Sequence, residues 1–460
     1  MSYGRVFAPD IQELIEKRDF KALREAMVEF MPPDVADALS YLKPEDRAVV
    51  FRVLPAELAA KIFEYLDLEE QEALLRSLGQ AEVANILNEM APDDRTALLE
   101  ELPGNLTRQL VALLTPEERR VATQLLGYRE DSIGRRMTPD FISIREDWTL
   151  AAVIDHLRRY GRDSETMNIL YVVDAEGRLL DDIRLREVVL APADRRVTDL
   201  MDRNFVALNV NDDQEIAVEA FKHYDRVALP VVDGRGILVG IVTVDDVLDV
   251  AVEEVTEDIQ KLGGVQALEE PYLSAQFFDL VRKRAVWLCV LFLGELLTAT
   301  AMGYFKTEIE KAVVLALFVP LIISSGGNSG SQAATLVIRA LSLGEIGLRD
   351  WWRVMRREVL AGLCLGGILG AIGFVRVALG ALLFHQYQPH ALLVAVTVAF
   401  ALVGVVLWGT LSGSMLPIVL KKLGLDPAVS SAPFVATLVD VTGLTIYFGC
   451  ATILLSGHLW

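Results

Sequence analysis

Apolar positions along the chain fall into three textures. Up to residue 130 they recur at helical spacing in short segments. Similar turn phrases separate these segments: Met31-Pro32-Pro33-Asp34, Lys43-Pro44-Glu45-Asp46-Arg47, Leu54-Pro55-Ala56-Glu57, Ala91-Pro92-Asp93-Asp94-Arg95, Leu102-Pro103 and Thr115-Pro116-Glu117-Glu118-Arg119. Proline suits the first turn of a helix, and acids just after it suit the positive end of the helix dipole. A phrase roughly every 10–12 residues predicts stacked helix hairpins, an all-α superhelical domain over 1–130 with Leu, Ala and Val as its core.

The texture changes over 131–250. Arg136-Met137-Thr138-Pro139 precedes a helix near Thr149–Tyr160 and the strand-like run Ile169-Leu170-Tyr171-Val172-Val173-Asp174. The pattern returns with Asp199-Leu200-Met201, a helix near Gln214–Tyr224, and the run Val227–Asp233. A turn at Gly234 and Gly236 leads to the strand Val239-Gly240-Ile241-Val242 and a helix start at Thr243-Val244-Asp245-Asp246. The order β-α-β-β-α therefore occurs twice. A very acidic helix, expected over 247–270, carries Glu253, Glu254, Glu257 and Asp258 and forms the connecting (plug) segment 251–275.

From 276 to 460 the apolar runs are long enough to cross about 30 Å of hydrocarbon. Spans are expected near 285–304, 312–338, 356–384, 391–420 and 431–457. The third and fourth exceed what a perpendicular crossing needs, which implies tilt or interfacial ends.

Composition sharpens this division. The 460 residues are 52 % hydrophobic with mean hydropathy +0.35, yet 23 % are charged. From Pro271 onward there are nine acidic and thirteen basic residues, so residues 1–270 carry −24 of a total of −20. An acidic front excludes nucleic acid as a partner, because phosphate binding needs a basic face. It suits cation binding, or solubility alone. Cys289, Cys364 and Cys450 sit in apolar runs without metal-like spacing. Met1–Asp10 lacks a basic segment followed by an apolar one, so no secretory signal is expected. Arg282, Lys283 and Arg284 precede the first span, Arg349, Arg353, Arg356 and Arg357 lie between the second and third, and Lys421 and Lys422 follow the fourth. This bias predicts a multi-pass cell-membrane protein with its N-terminus cytoplasmic and its C-terminus outside.

Three features in the membrane part carry candidate chemistry. Asp440 lies in Ala436-Thr437-Leu438-Val439-Asp440-Val441-Thr442-Gly443. An acid at membrane depth costs several kcal/mol and rarely faces lipid. It either makes a structural hydrogen bond or forms a cation site in a water-filled path, with Thr437 and Thr442 offering hydroxyls. Glu295 in the first span is a second such acid, with structural and functional readings evenly balanced. Ser324-Ser325-Gly326-Gly327-Asn328-Ser329-Gly330-Ser331-Gln332 interrupts the second span after Pro320. It is either a small-residue packing surface or a broken, cavity-lining segment, and the second is preferred here.

The doubled β-α-β-β-α unit resembles a CBS-domain pair. Its first half departs where Asp181-Asp182-Ile183-Arg184 replaces a glycine-led strand. The segments Pro320–Gln332 and Asp426–Gly443 resemble signatures of the MgtE family of magnesium channels, and the resemblance covers the whole chain. It implies a homodimer whose central pore is lined by the second and fifth spans, with Asp440 as the pore carboxylate and Asn328 in the lining. Mg²⁺ keeps its water tightly, so a carboxylate ring can hold the hydrated ion through its shell. The resemblance also implies closure by cytosolic Mg²⁺ bound between the N domain, the second CBS unit and the plug helix. Asp93, Asp225, Asp245, Asp246, Asp249, Glu254, Glu257 and Asp258 match that acidic interface. Lys61 and Ala97 stand where carboxylates are expected, so fewer ions should bind there. The resemblance admits ATP in the CBS pair, at Thr243 and Asp246, although Arg186-Glu187 departs from the expected Arg-Asp.

Two other classes compete. A membrane enzyme would need a nucleophile or ligand set, and His156, His223, His385, His390 and His458 form none in sequence, so no catalytic residue is expected. A proton- or Na⁺-coupled divalent-cation carrier would use Asp440 and Glu295 as titrating or ion-binding groups.

Overall fold

Ten short helices follow one another from Gly4 to Leu125: α1 (Gly4–Glu16), α2 (Phe20–Glu29), α3 (Pro32–Ser40), α4 (Pro44–Val53), α5 (Ala56–Glu64), α6 (Leu68–Ser77), α7 (Gln80–Glu89), α8 (Pro92–Glu101), α9 (Gly104–Leu113) and α10 (Pro116–Leu125). Proline opens α3, α4, α8 and α10, each followed by acids in the first turn, as the turn phrases predict. Helices pack mainly on the one two places along, α1 on α3, α3 on α5 and α5 on α7, with α2 on α4 and α4 on α6. That alternation makes two layers around a core containing Leu23, Leu39, Ile62, Phe63 and Leu87. The fully buried Arg95 donates to the Leu87 carbonyl at 3.1 Å and pairs with Glu118, tying α8 to α10. The structure, a computed structural model, describes residues 4–268, 272, 275–306, 313–384 and 390–455. It divides into two compact units, Met1–Val252 and Glu253–Trp460.

The rest of the first unit is a duplicated α/β fold. After α11 (Ile133–Arg136) come β1 (Ser143–Arg145), α12 (Leu150–Tyr160), β2 (Ile169–Val173), β3 (Leu179–Arg184) and α13 (Leu185–Leu190). The second half has β4 (Leu208–Asn209), α14 (Gln214–Tyr224), β5 (Ala228–Val232) and β6 (Leu238–Thr243). Each sheet has one parallel and one antiparallel pairing, and both hairpins shift register at matching places, Val172/Val173 and Val231/Val232. The hairpin turns, with Gly177 at φ +84° and Gly236 at φ +78°, bond reciprocally. Leu179 N donates to Gly236 O and Leu238 N to Gly177 O, both at 3.0 Å.

The departure at Asp181 does not break the strand. Asp181 is buried and accepts hydrogen bonds from the backbone N–H groups of Asp182 and Arg203 at 2.9 Å each, so its carboxylate is satisfied inside the fold. Asp182 points the other way and accepts from Arg226 of the second half at 2.9 Å.

The connecting helix α15 spans Val244–Leu262, starting at the expected Thr243–Asp246 helix start and ending sooner than the acidic run suggests. Gly263 and Gly264 stop it. Gly264 adopts φ +71°, and residues 265–268 are not helical. The remainder of the expected plug segment, 269–271 and 273–274, lies outside the described residues.

Among the described residues, five helical spans long and apolar enough to cross a membrane follow: Phe277–Tyr304, Val313–Ser342, Leu348–Phe384, Ala391–Lys422 and Ala432–Leu455. They contain α16 (Phe277–Tyr304), α17 (Val313–Ala316), α18 (Val319–Ser342), α19 (Trp351–Phe384), α20 (Ala391–Lys422) and α21 (Ala432–Leu455). The chain is thus a multi-pass membrane protein. Helix α19 lies on α20 through a row of small residues, Gly362, Gly366, Gly370 and Gly373. Helix α16 rests on α21, where Trp287 Nε1 donates to Ser431 Oγ at 3.1 Å.

The expected break in the second span is corrected. The Ser/Gly/Asn motif lies inside the continuous helix α18, and the irregularity falls earlier, at Leu317 and Phe318. A helix satisfies its own backbone, so small residues need no break at membrane depth. Here they bring two backbones together. A Cβ at Gly409 would meet Gly326 O at 2.3 Å, and one at Gly413 would meet Gly330 O at 2.0 Å.

Candidate functional site

In the membrane unit, α21 turns Val435, Val439 and Gly443 inward, where Val435 and Val439 meet Gly330 and Gly326 of α18. Thr437 faces Gly294 of α16. Asp440 falls between these two contacts and is half-buried. Its carboxyl shares a hydrogen bond with Glu295 of α16, so the two intramembrane acids form one pair. Helix α18 leaves Ser324, Asn328, Gln332 and Thr335 exposed at spacings of four, four and three, one polar stripe along a single face. Asn328 Nδ2 donates to Ser324 Oγ at 3.4 Å. The hydroxyls expected to help Asp440 are otherwise engaged. Thr442 Oγ1 donates to Leu438 O and accepts from Trp408 Nε1, both at 2.7 Å, and Thr437 Oγ1 donates to Pro433 O at 3.1 Å.

A second acidic group lies in the first unit. Asp93, at the start of α8, is only 8 % exposed, and its Oδ1 has no hydrogen-bond partner. Burial pushes its carboxyl well above the usual range, and Asp246, Asp94 and Glu165 add repulsion. Burial raises Asp246 to about 6 against its bond to Thr243, with repulsion from Asp245 and Glu165. The side chain of Asp94 reaches solvent. Desolvation by the surrounding protein, then repulsion from Glu64, Asp246, Glu165 and Asp245, nonetheless raises it to about 7. Burial raises Glu64 and Glu165 too, and Lys61 attracts both. Asp93 and Asp245 thus both lie near enough to Asp246 to repel it. Glu64, Asp94 and Glu165 join them unannounced, because only the fold brings α5, α8 and the loop before β2 to one place. Burial raises Asp249, and it senses Asp245 and Arg136. Asp225 sits apart from this group. It ends α14 in left-handed conformation, φ +48°, beside a groove lined by Lys222, Arg226, Val247 and Leu248.

The orphaned Asp93 oxygen fits a cation or one of its waters. Among the described residues, however, no three acidic, imidazole or thiol side chains converge closely enough to hold an ion directly.

The remaining acids of α15 belong to the second unit. Lys261 joins Glu257 at 2.5 Å and Asp426 at 2.7 Å. Asp258 accepts from Ser342 Oγ at 3.1 Å, and burial raises its carboxyl. Glu254 is half-buried.

The residues expected to contact nucleotide bond to each other. Thr243 Oγ1 donates to Asp246 Oδ2 at 2.6 Å, and the same oxygen accepts from the Thr243 backbone N–H at 3.4 Å, one half of a capping box at the start of α15. In the first half of the doubled fold, the buried hydroxyl of Tyr171 has no hydrogen-bond partner, a feature that periodicity could not reveal.

Comparison with known proteins matches several stretches of the chain. Residues 30–131 match the MgtE intracellular N domain, 131–194 and 197–253 match CBS domains, and 319–450 match the MgtE family described as divalent cation transporters. The chain is 40 % identical to the magnesium transporter MgtE of Thermus thermophilus over 451 residues, 97 % of this chain and 98 % of that one. It is 31 % identical to the magnesium transporter MgtE of Bacillus subtilis over 91 % of this chain and 93 % of that one. A crystal structure of the cytosolic domain of the Mg²⁺ channel MgtE in complex with ATP is 38 % identical. It covers 53 % of this chain and 99 % of that one, with TM-score 0.51. On the identity and coverage of these relatives, the chain belongs to the MgtE family.

Proposed function

We propose that the chain forms a homodimeric Mg²⁺-selective channel whose ion path passes Asp440. The observation that carries this reading is the polar stripe Ser324-Asn328-Gln332-Thr335, left exposed on α18 beside the helix that bears Asp440. Such a surface is costly against lipid and is relieved by water or by a second copy of itself. A two-fold axis beside it supplies two Asp440 carboxylates, enough to balance one divalent ion. Hydrated Mg²⁺ offers water protons to those oxygens without losing its shell. In support stand two relatives named as magnesium transporters at 40 % and 31 % identity.

The proposal includes regulation. With residues 1–270 on the cytoplasmic side and the C-terminus outside, the acids around Asp93 and Asp246 repel one another at low Mg²⁺. Mg²⁺ relieves that repulsion, mostly through its waters, and shifts the population toward a closed pore. In the second unit, Glu254, Glu257 and Asp258 are the proposed sensor acids, and in the first, Asp225 and Asp249 extend the charge that Mg²⁺ would neutralise. Lys61 replaces part of it with a fixed cation. ATP at Thr243 and Asp246 belongs to the same reading, supported by the solved cytosolic domain named with ATP. The bond between those two side chains weighs against it.

A proton- or Na⁺-coupled carrier is favoured by one observation, the Glu295–Asp440 carboxyl pair. Proteoliposomes separate the readings. The channel reading expects Mg²⁺ uptake that needs no pH or Na⁺ gradient and falls as Mg²⁺ on the cytoplasmic face rises. Uptake that depends on either gradient favours the carrier, and uptake indifferent to cytoplasmic-side Mg²⁺ removes the sensor.

A further inference from the structure

The first span is the least buried of the five, with no buried residue in α16, so core packing does not account for its sequence. It carries Glu295, the nineteenth of its twenty-eight residues and so well inside the span. A carboxylate there costs several kcal/mol unless something compensates it.

The seam between α16 and α21 brings that carboxyl to one place. Trp287 anchors its lower end on Ser431 at 3.1 Å, with Phe434 at 6.1 Å between ring centres. Two turns on, Gly294 lies so close to α21 that a Cβ would meet the Thr437 methyl at 2.6 Å. Glycine therefore sets the approach, and the next residue, Glu295, reaches Asp440. One turn beyond Gly294, Thr298 Oγ1 is buried without a hydrogen-bond partner. Two carboxyls and an orphaned hydroxyl thus share one seam in an otherwise apolar wall.

We propose that Glu295 is a positioning and specificity-determining residue of the ion path. It orients Asp440 and presents a second carboxyl to the waters of the passing cation. This rests on the reading of Asp440 as the ion-path acid. Hydrated Mg²⁺ holds six waters in a rigid octahedron, and neighbouring waters of that shell match two carboxyls set side by side. Ca²⁺, with a looser shell of six to eight ligands, gains less from a fixed pair. Glu295 therefore raises the apparent affinity for Mg²⁺ and its preference over Ca²⁺ more than it changes the maximal rate.

The test measures Mg²⁺ and Ca²⁺ uptake against ion concentration in proteoliposomes for wild type, Glu295→Gln, Glu295→Asp and Asp440→Asn. Size-exclusion elution in detergent checks that each variant folds. Glu295→Gln, equal in shape, is expected to raise the half-saturating Mg²⁺ by about tenfold, the scale of one lost charge-assisted hydrogen bond. Its maximal flux should stay within about twofold of wild type, and its Mg²⁺/Ca²⁺ preference should fall. Glu295→Asp keeps the charge and should lie between the two. Gly294→Val keeps Glu295 but pushes the helix away, and should resemble Glu295→Gln. Wild-type half-saturation and selectivity in Glu295→Gln, with flux lost in Asp440→Asn, would overturn this inference alone. Wild-type flux in Asp440→Asn would overturn the ion-path reading, and this inference with it.

Discussion

Lys261, in the last turn of the connecting helix α15, donates to Asp426 at 2.7 Å, just before α21 begins. Burial alone would lower the lysine's pKa, but Asp426 and Glu257 outweigh it and raise it. The ammonium stays charged at any physiological pH. This contact ties the connecting helix to the segment that leads into α21, which bears Asp440, so under the proposed gating it is where closure would be transmitted.

Breaking that tie should loosen the closed state. Lys261→Met and Asp426→Asn are each expected to leave more flux than wild type when cytoplasmic-side Mg²⁺ is high. The double variant should add little, because the two act on one bond, and the coupling should be on the order of 1 kcal/mol for a partly exposed pair. Additive effects would show that they act separately.

The acids around Asp93 should make Mg²⁺-free stability depend on pH with an unusual sign. Asp94 at about 7 and Asp246 at about 6 lie above the ordinary 3.8, so the folded state binds more protons than the unfolded chain in this window. Stability without Mg²⁺ should therefore rise as pH falls from about 7 toward 5. A rise of roughly 2–4 °C in melting temperature is expected for each kcal/mol regained. The stabilisation given by added Mg²⁺ should shrink over the same range. Asp93→Asn should mimic low pH, raising Mg²⁺-free stability and blunting the Mg²⁺ response. A melting curve indifferent to pH between 5 and 7 would contradict this.

Lys61, on α5, attracts Glu64 and Glu165 as a fixed positive charge. Lys61→Glu, which removes a fixed cation and adds a carboxylate, should lower the Mg²⁺ needed to protect the first unit from limited proteolysis by several-fold, while Lys61→Arg should not. An unchanged midpoint in Lys61→Glu would remove the lysine from the sensor.

The glycine contacts between α18 and α20 leave no room for a methyl. Gly413→Ala should cost about 1–3 kcal/mol or more, because its Cβ would strike a backbone carbonyl and not a yielding side chain. Gly367→Ala, in open space on α19, is the control and should be neutral. Thermal unfolding in detergent compares them.

Much of this architecture was legible from spacing. The proline-acid phrases mark helix starts at Pro32, Pro44, Pro92 and Pro116, because capping and dipole effects are local. The five spans were legible because length and apolarity suffice. What spacing hid was three-dimensional. Gly326 and Gly330 read as a break because polarity was visible and their partners Gly409 and Gly413, some eighty residues away, were not. The end of α15 was overrun because an acidic run masked Gly263 and Gly264. Glu295 could be singled out as an acid at membrane depth, but its pairing with Asp440 depends on Gly294 meeting Thr437 across two helices. Glu64, Asp94 and Glu165 read as surface charge until the fold gathered them around Asp93.

The measurement that bears most directly on the account is Mg²⁺ uptake into proteoliposomes by wild type and Asp440→Asn, reconstituted in equal amount and checked for the same size-exclusion profile. With Asp440 in the ion path, Asp440→Asn should cut uptake by at least about tenfold while the protein remains folded. Uptake by Asp440→Asn equal to wild type would contradict the account.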